Sequence, residues 1–374
     1  MLVALRPLLR IKNKLGASMK VMQILLSQSE AGAETYFEKV SAAFATDPSI
    51  EQQLIIEAQG SREARLQTAA VTYRTLPMGI FSKPLLYNTM LKRHVDTFEP
   101  DLIVTWVNRA SRKCPPTKAV VVGRLGGYYD IANYQKCDYL IVNTPDLVRH
   151  VVESGWPEER VSMISNFGEL PPALSVDDPL PSIPAGHKVL LTLGRLHQKK
   201  AQDTAIRALT KIPNATLLIV GSGELRDQLE ALAQSEGVAK RVQFLGLRKD
   251  IHHLFEIADL CLFPSRFEPL GNVILEAWAT GTPIVAATST GPSWLIEHEH
   301  NGLLFPVDDA ERCAVEVNRL LHDSPLARQL AENGAKKYRS GFSQPIIMQH
   351  YKDLFTKLVT DRRSGKLAKS RALR

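Results

Sequence analysis

Hydrophobic and polar positions alternate along the first half of the chain in two kinds of block. Short, almost wholly apolar runs of strand length recur between residues 21 and 166, and stretches of helix length separate them. In the first of these stretches Tyr36, Val40 and Phe44 recur at helical spacing. Strands that are apolar throughout are typical of a parallel sheet with helices on both faces. The pattern therefore predicts a Rossmann-like, doubly wound domain over residues 21–167.

The same alternation returns in the second half of the chain. A proline-rich segment without periodicity, residues 168–187, comes first and predicts a linker between domains. A second series of apolar runs then predicts another Rossmann-like domain over residues 188–342. The amphipathic residues 343–360 predict a helix that packs back on the N-terminal domain. We therefore expect an α/β protein with two facing, doubly wound domains.

Length and composition agree with this organisation. A chain of 374 residues suits two domains, and 44% hydrophobic with 23% charged residues is typical of a globular protein. The longest apolar runs have strand length, so no segment is expected to cross a bilayer. Bases interrupt any secretory apolar core near the N-terminus, and the four cysteines have no metal-type spacing. We expect a cytoplasmic protein with reduced thiols.

The net charge of +7 is concentrated at the two ends. A basic N-terminal extension, residues 1–20, has five bases and no acid, and a basic tail, residues 361–374, has six bases and one acid. The chain between them is mildly acidic, whereas proteins that read nucleic acid usually carry their bases on a folded face. Nucleic acid is therefore not an expected partner. The ends fit either docking on an anionic membrane surface or solvated, partly disordered termini.

The strongest candidate site lies in the segment SRFEPLGNVILEAWATG, residues 265–281. A predicted strand ends just before it, and in doubly wound sheets ligands bind beyond the carboxyl ends of the strands. A helix is expected to begin near Leu270, and its first backbone N–H groups, around Leu270, Gly271 and Asn272, would bind phosphate. Glu268 lies in the loop before this helix. Glu276 lies two turns further on, and a carboxylate there can accept two hydrogen bonds from a ribose diol.

Two other loops follow predicted strands. In GRLHQKK, Gly194 allows a tight turn, and Arg195 and Lys200 would neutralise a diphosphate leaving group. Gly32, between two alanines after the first strand, would let the backbone approach a phosphate. The chain has no Asp-x-Asp motif and no histidine–carboxylate spacing for a metal. We therefore expect neither a metal nor another cofactor.

The segments around Asn108 and Arg124 are basic and rich in tyrosine, and both follow predicted strands of the first half. Tyr128 would stack on a ring of a ligand, or it would pack the interior of the domain. The bases would meet phosphate or carboxylate groups of a ligand. The predicted residues of this second site are Asn108, Arg109, Arg124 and Tyr128.

These motifs together resemble those of the family 4 retaining glycosyltransferases of the GT-B fold, the group 1 glycosyltransferases. Glu268 and Glu276 match the Glu-x7-Glu signature of that family, and Gly194–Leu196 followed by Lys200 matches its Gly-Arg-Leu loop. The similarity runs from about Val21 to Leu358. A Trp at position 294, where the family usually has a glutamate, and Ala31 in place of the first glycine of the first loop are departures from the pattern.

The resemblance implies a role for each matched residue. Arg195 and Lys200 would hold the donor diphosphate, and Glu276 would bind the nucleotide ribose. Glu268 would contact the donor sugar, so that Glu268, Arg195 and Lys200 form the catalytic set. The base would be held by backbone near Leu247 and Arg248. The acceptor-side residues would be Asn108, Arg109, Arg124 and Tyr128, with Tyr128 stacked on a sugar ring or packed in the domain.

The sequence thus predicts a metal-independent, retaining enzyme that moves a hexose-type sugar from a nucleotide-sugar donor to a glycan or lipid-linked acceptor. The expected process is the synthesis of lipopolysaccharide or another cell-surface polysaccharide, at the inner face of the cytoplasmic membrane. A nucleotide-sugar epimerase on the same fold remains an alternative, as does a non-catalytic protein that binds a nucleotide-sugar or glycan.

Overall fold

The computed structural model describes residues 18–30, 32–77, 84–168 and 179–369. It divides the chain into two compact units. The first unit extends to Ile164 and includes the chain again from Met348, and the second spans Ser165–Ile347.

A seven-stranded parallel sheet forms the centre of the first unit. Its strands are β1 (Met19–Leu25), β2 (Ile50–Glu57), β3 (Tyr73–Leu76), β4 (Leu102–Trp106), β5 (Val120–Leu125), β6 (Tyr139–Val142) and β7 (Val161–Met163). The helices between them are α1 (Gly32–Ala45), α2 (Gly60–Thr68), α3 (Pro84–Phe98), α4 (Val107–Lys113) and α5 (Pro145–Glu153). The strand order is β3-β2-β1-β4-β5-β6-β7.

A six-stranded parallel sheet forms the centre of the second unit. Its strands are β8 (Lys188–Leu193), β9 (Ala215–Val220), β10 (Val242–Gly246), β11 (Leu260–Phe263), β12 (Ile284–Ala287) and β13 (Leu303–Phe305). Its helices are α6 (Gln202–Leu209), α7 (Arg226–Ser235), α8 (Ile251–Ile257), α9 (Asn272–Thr280), α10 (Thr290–Leu295), α11 (Ala310–His322) and α12 (Ser324–Gly341). The strand order is β10-β9-β8-β11-β12-β13.

The predicted fold class, two Rossmann-like α/β domains of the GT-B type, is confirmed. Every residue of β4 and of β12 is buried, because helices cover both faces of each sheet. The strand order reverses between β1 and β4 in the first unit and between β8 and β11 in the second. Loops that follow these strands border the crevice where doubly wound sheets bind ligands.

The last helix, α13 (Gln344–Arg363), packs on the first unit. The rings of Tyr351 and Phe355 pack against the ring of Phe44, and their centroids lie 6.0 and 5.9 Å from its centroid. Lys352 forms an ion pair with Asp47 at 2.8 Å. Aromatic burial and this ion pair therefore fix α13 against α1 and the loop that follows it.

The basic ends are described only in part. Residues 1–17 and 370–374 lie outside the described residues, so the predicted N-terminal extension is not described before residue 18. In the C-terminal tail, Arg362 and Arg363 form ion pairs with Asp138 and Asp101, each at 2.6 Å. Within the described ranges, no helix has the length and apolar character needed to span a bilayer.

Candidate active site

The loop after β8 lies directly against the loop after β9. The backbone N–H of Leu196 donates to the carbonyl of Ser222 at 2.9 Å. A Cβ atom on Gly221 would lie 2.0 Å from the carbonyl oxygen of Gly194, and one on Gly223 would lie 2.3 Å from that of Leu196. Side chains at these two glycines would therefore separate the loops.

An ion pair joins the loop after β8 to the loop after β11. The ammonium group of Lys200 donates to the carboxylate of Glu268, and both side chains are largely buried, with 27% and 15% exposed. The carbonyl of Lys199 accepts a hydrogen bond from the backbone N–H of Arg266 at 2.9 Å. The structure thus brings together Lys200 and Glu268, which are far apart in sequence, where the strand order reverses.

The backbone that carries Glu268 is held from its other side as well. Its carbonyl accepts from the backbone N–H of Gly291 at 2.8 Å. A Cβ atom on Gly291 would lie 2.2 Å from the carbonyl oxygen of Leu270, so this contact also requires glycine. The loop is therefore fixed between α10 and the loop after β8.

Arg195 lies on the same loop as Lys200 but is exposed. Its guanidinium group is 3.1 Å from the carboxylate of Glu224, and 69% of its side chain is accessible. The backbone N–H of Glu224 itself and the hydrogen bond from Arg195 hold the pKa of Glu224 below its usual value. Glu224 is not among the predicted site residues, because nothing in the sequence pairs this glutamate with Arg195.

Helix α9 begins later than the sequence predicts. Gly271 precedes it with φ +98°, a left-handed conformation that cannot continue into a right-handed helix, so α9 starts at Asn272 instead of near Leu270. The side chain of Asn272 accepts a hydrogen bond from the amide of Asn166 at 2.7 Å. Glu276 lies on the second turn of α9 and is half-buried.

The loop after β10 carries the residues expected near the base. The side chain of Leu247 is exposed, whereas Arg248 is buried against Asp250, with Nε 2.7 Å from its carboxylate. The hydrogen bonds from Arg248 lower the pKa of Asp250. The carbonyl of Gly246 accepts from the backbone N–H of Gly221 at 2.7 Å, so this loop continues the row formed by the loops after β8 and β9.

The loop after β1 in the first unit leads to Gly32, the first residue of α1. The neighbouring Ala31 lies outside the described residues. Arg62 is completely buried and donates to the carbonyls of Ser27 and Ser29, both at 2.6 Å. Arg62 is not among the predicted site residues, because a single arginine within a polar helix gives no sign that it reaches back to another loop.

All four predicted acceptor-side residues contact other side chains of the first unit. Arg124 is 4% exposed, and its guanidinium lies over the rings of Tyr36 and Trp106, at 5.1 and 5.4 Å from their centroids. The side-chain oxygen of Asn108 accepts from the hydroxyl of Tyr134 at 2.8 Å. Tyr128 donates to Asp146. These contacts stabilise the domain.

Arg109 is the fourth of these residues and is partly exposed. Its guanidinium is 3.1 Å from the buried carboxylate of Glu57, whose pKa is raised by burial although Arg109 and Tyr87 oppose that rise. Arg109 also borders a cavity of about 690 Å³. Among the residues that the structure describes, no group of three or more His, Cys, Asp or Glu side chains is placed to hold a metal ion.

The fold and these loops define the class of the protein: two Rossmann-like domains whose post-strand loops present cations and carboxylates. A family model described as glycosyl transferases group 1 matches residues 179–337, which include the loops after β8, β9, β10 and β11 and helix α9. The lipopolysaccharide core biosynthesis glycosyltransferases LpsE and LpsD of Rhizobium meliloti are both 34% identical to the chain. The alignments cover 87% and 92% of this chain and 96% and 100% of the two relatives.

The chain therefore belongs to the group 1 glycosyltransferases, and the family that its motifs resemble is confirmed. The crystal structure of HepE from Anabaena in complex with UDP-glucose has the same fold, with a TM-score of 0.78. It is 21% identical, and the match covers 91% of this chain and all of HepE.

The close approach of the two glycine loops leads to a first prediction. We expect Gly221→Ala to displace the Gly194–Leu196 loop. Glycosyl transfer should then fall by about tenfold or more, because a displacement of substrate-positioning groups by about 1 Å lowers the rate strongly. Gly237→Ala is the matched control, since Gly237 also has a positive φ but a Cβ there meets nothing within 4 Å. Equal activities of the two variants, both folded by circular dichroism, would contradict the role of this contact.

Proposed function

We propose that this glycosyltransferase moves a hexose-type sugar from a nucleotide-sugar to a glycan or lipid-linked acceptor in the synthesis of lipopolysaccharide or a related surface polysaccharide. The observation that carries the proposal is the ion pair between Lys200 and Glu268. Lys200 shares its loop with Arg195, and the two loops that the pair joins lie where the strand order reverses. The names of LpsE and LpsD support the lipopolysaccharide core as the glycan to which the sugar is added. The complex of HepE with UDP-glucose supports a nucleotide-sugar donor.

Arg195 and Lys200 are proposed to bind the donor diphosphate. The ion pair of Arg195 with Glu224 is exposed, and such pairs contribute little to stability, so an incoming diphosphate can replace Glu224 at small cost. Lys200 is more buried, and its charge is therefore screened less by water. Gly194 allows the loop to bring both cations beyond the end of β8.

Glu268 is proposed to contact the donor sugar, and Glu276 the nucleotide ribose. Glu268 is held in position by Lys200 and by its backbone contact with Gly291. The backbone N–H groups of Leu270, Gly271 and Asn272 lead into α9, where the helix dipole favours an anion. Leu247 and Arg248 are proposed to hold the base through their backbone, and Gly32 is proposed to bind the donor through its own.

The reaction is proposed to retain the anomeric configuration and to need no metal. The bond between the anomeric carbon and the diphosphate oxygen breaks, and the diphosphate leaves with the electron pair. The acceptor hydroxyl oxygen bonds to the same carbon from the side that the diphosphate leaves, and its proton passes to the departing diphosphate oxygen. The negative charge that develops on the diphosphate is stabilised by Arg195, Lys200 and the N-terminus of α9.

The protein is also proposed to work in the cytoplasm, on the inner face of an anionic membrane. The support is the basic N-terminal extension, in which four bases precede β1 and each is worth about 1 kcal/mol near such a surface. The fifth base, Lys20, lies in β1 and donates to the carbonyl of Phe98 at 3.3 Å. The C-terminal tail contributes less than its sequence indicates, because Arg362 and Arg363 are paired with acids of the first unit.

Removal of either diphosphate-binding cation tests the donor site. Arg195→Ala and Lys200→Ala should each lower kcat by about a hundredfold, because each removes a preorganised charge from the leaving group. Lys199→Ala is the matched control, since its ammonium lies over the ring of Phe267, 4.8 Å from the centroid, and not on Glu268. Turnover like that of the wild type in both Arg195→Ala and Lys200→Ala, with folding intact, would refute the assignment.

Chelation tests the proposed independence from metals. Glycosyl transfer should continue unchanged in excess EDTA, because protein cations are proposed to stabilise the leaving group. The assay compares initial rates before and after dialysis against EDTA. A loss of activity that Mg²⁺ or Mn²⁺ restores would overturn this part of the proposal.

The anomeric outcome can be tested without knowledge of the acceptor. Slow hydrolysis of the donor should release the sugar in the anomeric configuration that it had in the donor. Proton NMR, recorded before mutarotation, distinguishes the two anomers by their coupling constants. First appearance of the opposite anomer would show inversion.

A further inference from the structure

A concave basic surface on the first unit takes no part in the proposed donor site. We call it the basic cavity. Its volume of about 690 Å³ falls within the roughly 300–1,000 Å³ of typical small-ligand sites. Helices α3 and α4 and the segment after α4 surround it. The lining residues are Asn88, Thr89, Lys92, Arg109, Arg112, Lys113, Cys114, Pro115, Pro116 and Lys136.

Five of the ten lining residues are Lys or Arg, and none is acidic. Lys92 pairs with Asp96 and Arg109 with Glu57, so these two charges are compensated. Arg112 and Lys113 form no ion pair or side-chain hydrogen bond with any residue that the structure describes. Lys136 donates to the carbonyl of Cys114 at 3.2 Å, which leaves its charge unneutralised.

Local helix chemistry explains only part of this arrangement. Arg112 and Lys113 end α4, where cations favour the negative end of the helix dipole. Lys92, however, comes from α3, and Lys136 comes from the loop between β5 and β6. Bases from three separate elements therefore converge on one cavity. Such convergence raises mutual repulsion that an anion bound in the cavity would relieve.

We propose that the basic cavity binds an anionic substituent, a phosphate or a sugar carboxylate, that the acceptor carries. This inference rests on the proposed function and names the class of acceptor. Arg112 offers a planar guanidinium that can grip two oxygens of the anion, and Lys113 and Lys136 add point charges. Asn88 offers its amide to the adjoining sugar, and Thr89 offers its hydroxyl oxygen as an acceptor, since that hydroxyl donates to the carbonyl of Leu85. A bilayer surface fits a flat or convex patch better than a cavity, so the lipid surface is the less favoured ligand.

Binding is tested first with inorganic pyrophosphate, in a full-length chain that carries Arg195→Ala and Lys200→Ala to disable the donor site. Isothermal titration at low salt should detect pyrophosphate binding. Adding Arg112→Ala and Lys113→Ala should weaken that binding by about tenfold or more, because hydrogen bonds to charged groups are among the stronger ones. Unchanged affinity, or no binding before these changes are added, would overturn the proposal.

The matched control is Lys336→Ala with Arg339→Ala in the same background. This pair also removes one lysine and one arginine, both exposed on α12. Its pyrophosphate affinity should stay within about twofold, since the two variants lower the net charge equally and only one of them lies in the basic cavity. Equal weakening of pyrophosphate binding in both variants would show a general charge effect and would refute a specific anion site in the basic cavity.

Glycosyl transfer then distinguishes the two anions. Lipopolysaccharide core oligosaccharide is offered intact, after dephosphorylation with hydrogen fluoride, and after reduction of its carboxylates. Arg112→Ala/Lys113→Ala should raise KM for the intact acceptor by about tenfold or more and leave kcat within about twofold. The treatment that removes the recognised anion should raise the wild-type KM to the level of the variant. A wild-type KM unaffected by both treatments would overturn the acceptor assignment.

Failure of the proposed function gives a different result. If no oligosaccharide is glycosylated while pyrophosphate still binds through Arg112 and Lys113, the acceptor is wrong and the anion site stands. Sedimentation with phosphatidylcholine vesicles, with and without phosphatidylglycerol, tests the lipid alternative. Variant and wild type should bind these vesicles equally. Loss of vesicle binding in the variant, with pyrophosphate affinity unchanged, would overturn the proposal in favour of a lipid surface.

Discussion

The ion pair between Lys200 and Glu268 is the constraint on which the site of the second unit depends. Desolvation makes such a pair costly, and it persists only where the surrounding backbone holds both groups in place. Here that support comes from the hydrogen bond between Arg266 and Lys199 and from the contact of Gly291 with Glu268. The charges are therefore ordered before any ligand arrives, which is the condition for electrostatic stabilisation without reorganisation.

The two units fix their post-strand loops by different means. In the second unit, glycines let one backbone touch another, as Gly221 does at Gly194. In the first unit, buried arginines stabilise the loops instead. Arg62 binds two carbonyls of the loop after β1, and Arg124 lies between aromatic rings. Arginine thus has a structural role in the interior of the first unit, whereas Arg112, on its surface, has no ion-pair partner among the described residues.

The order of strands and helices follows from the sequence because each element carries its own pattern. A run such as LIVTW, which becomes β4, is apolar at every position but one, and this is possible only where both faces of a strand are covered. The start of α9, in contrast, lies later than the sequence predicts. The sequence of the loop does not show that Gly271 takes a left-handed conformation, because the packing of the loop sets that conformation.

The sequence by itself determined the fold class, the family and the grouping of Arg195, Lys200, Glu268 and Glu276 after strands of one sheet. Local periodicity and motif spacing carry that information, since both act over a few residues. Only the tertiary structure decided which charges are paired. Glu224 joins Arg195, Arg124 lies among aromatic rings, and Lys136 faces the cavity of Arg112. These relations link residues distant in sequence, and chain packing alone sets the distances on which electrostatic energies depend.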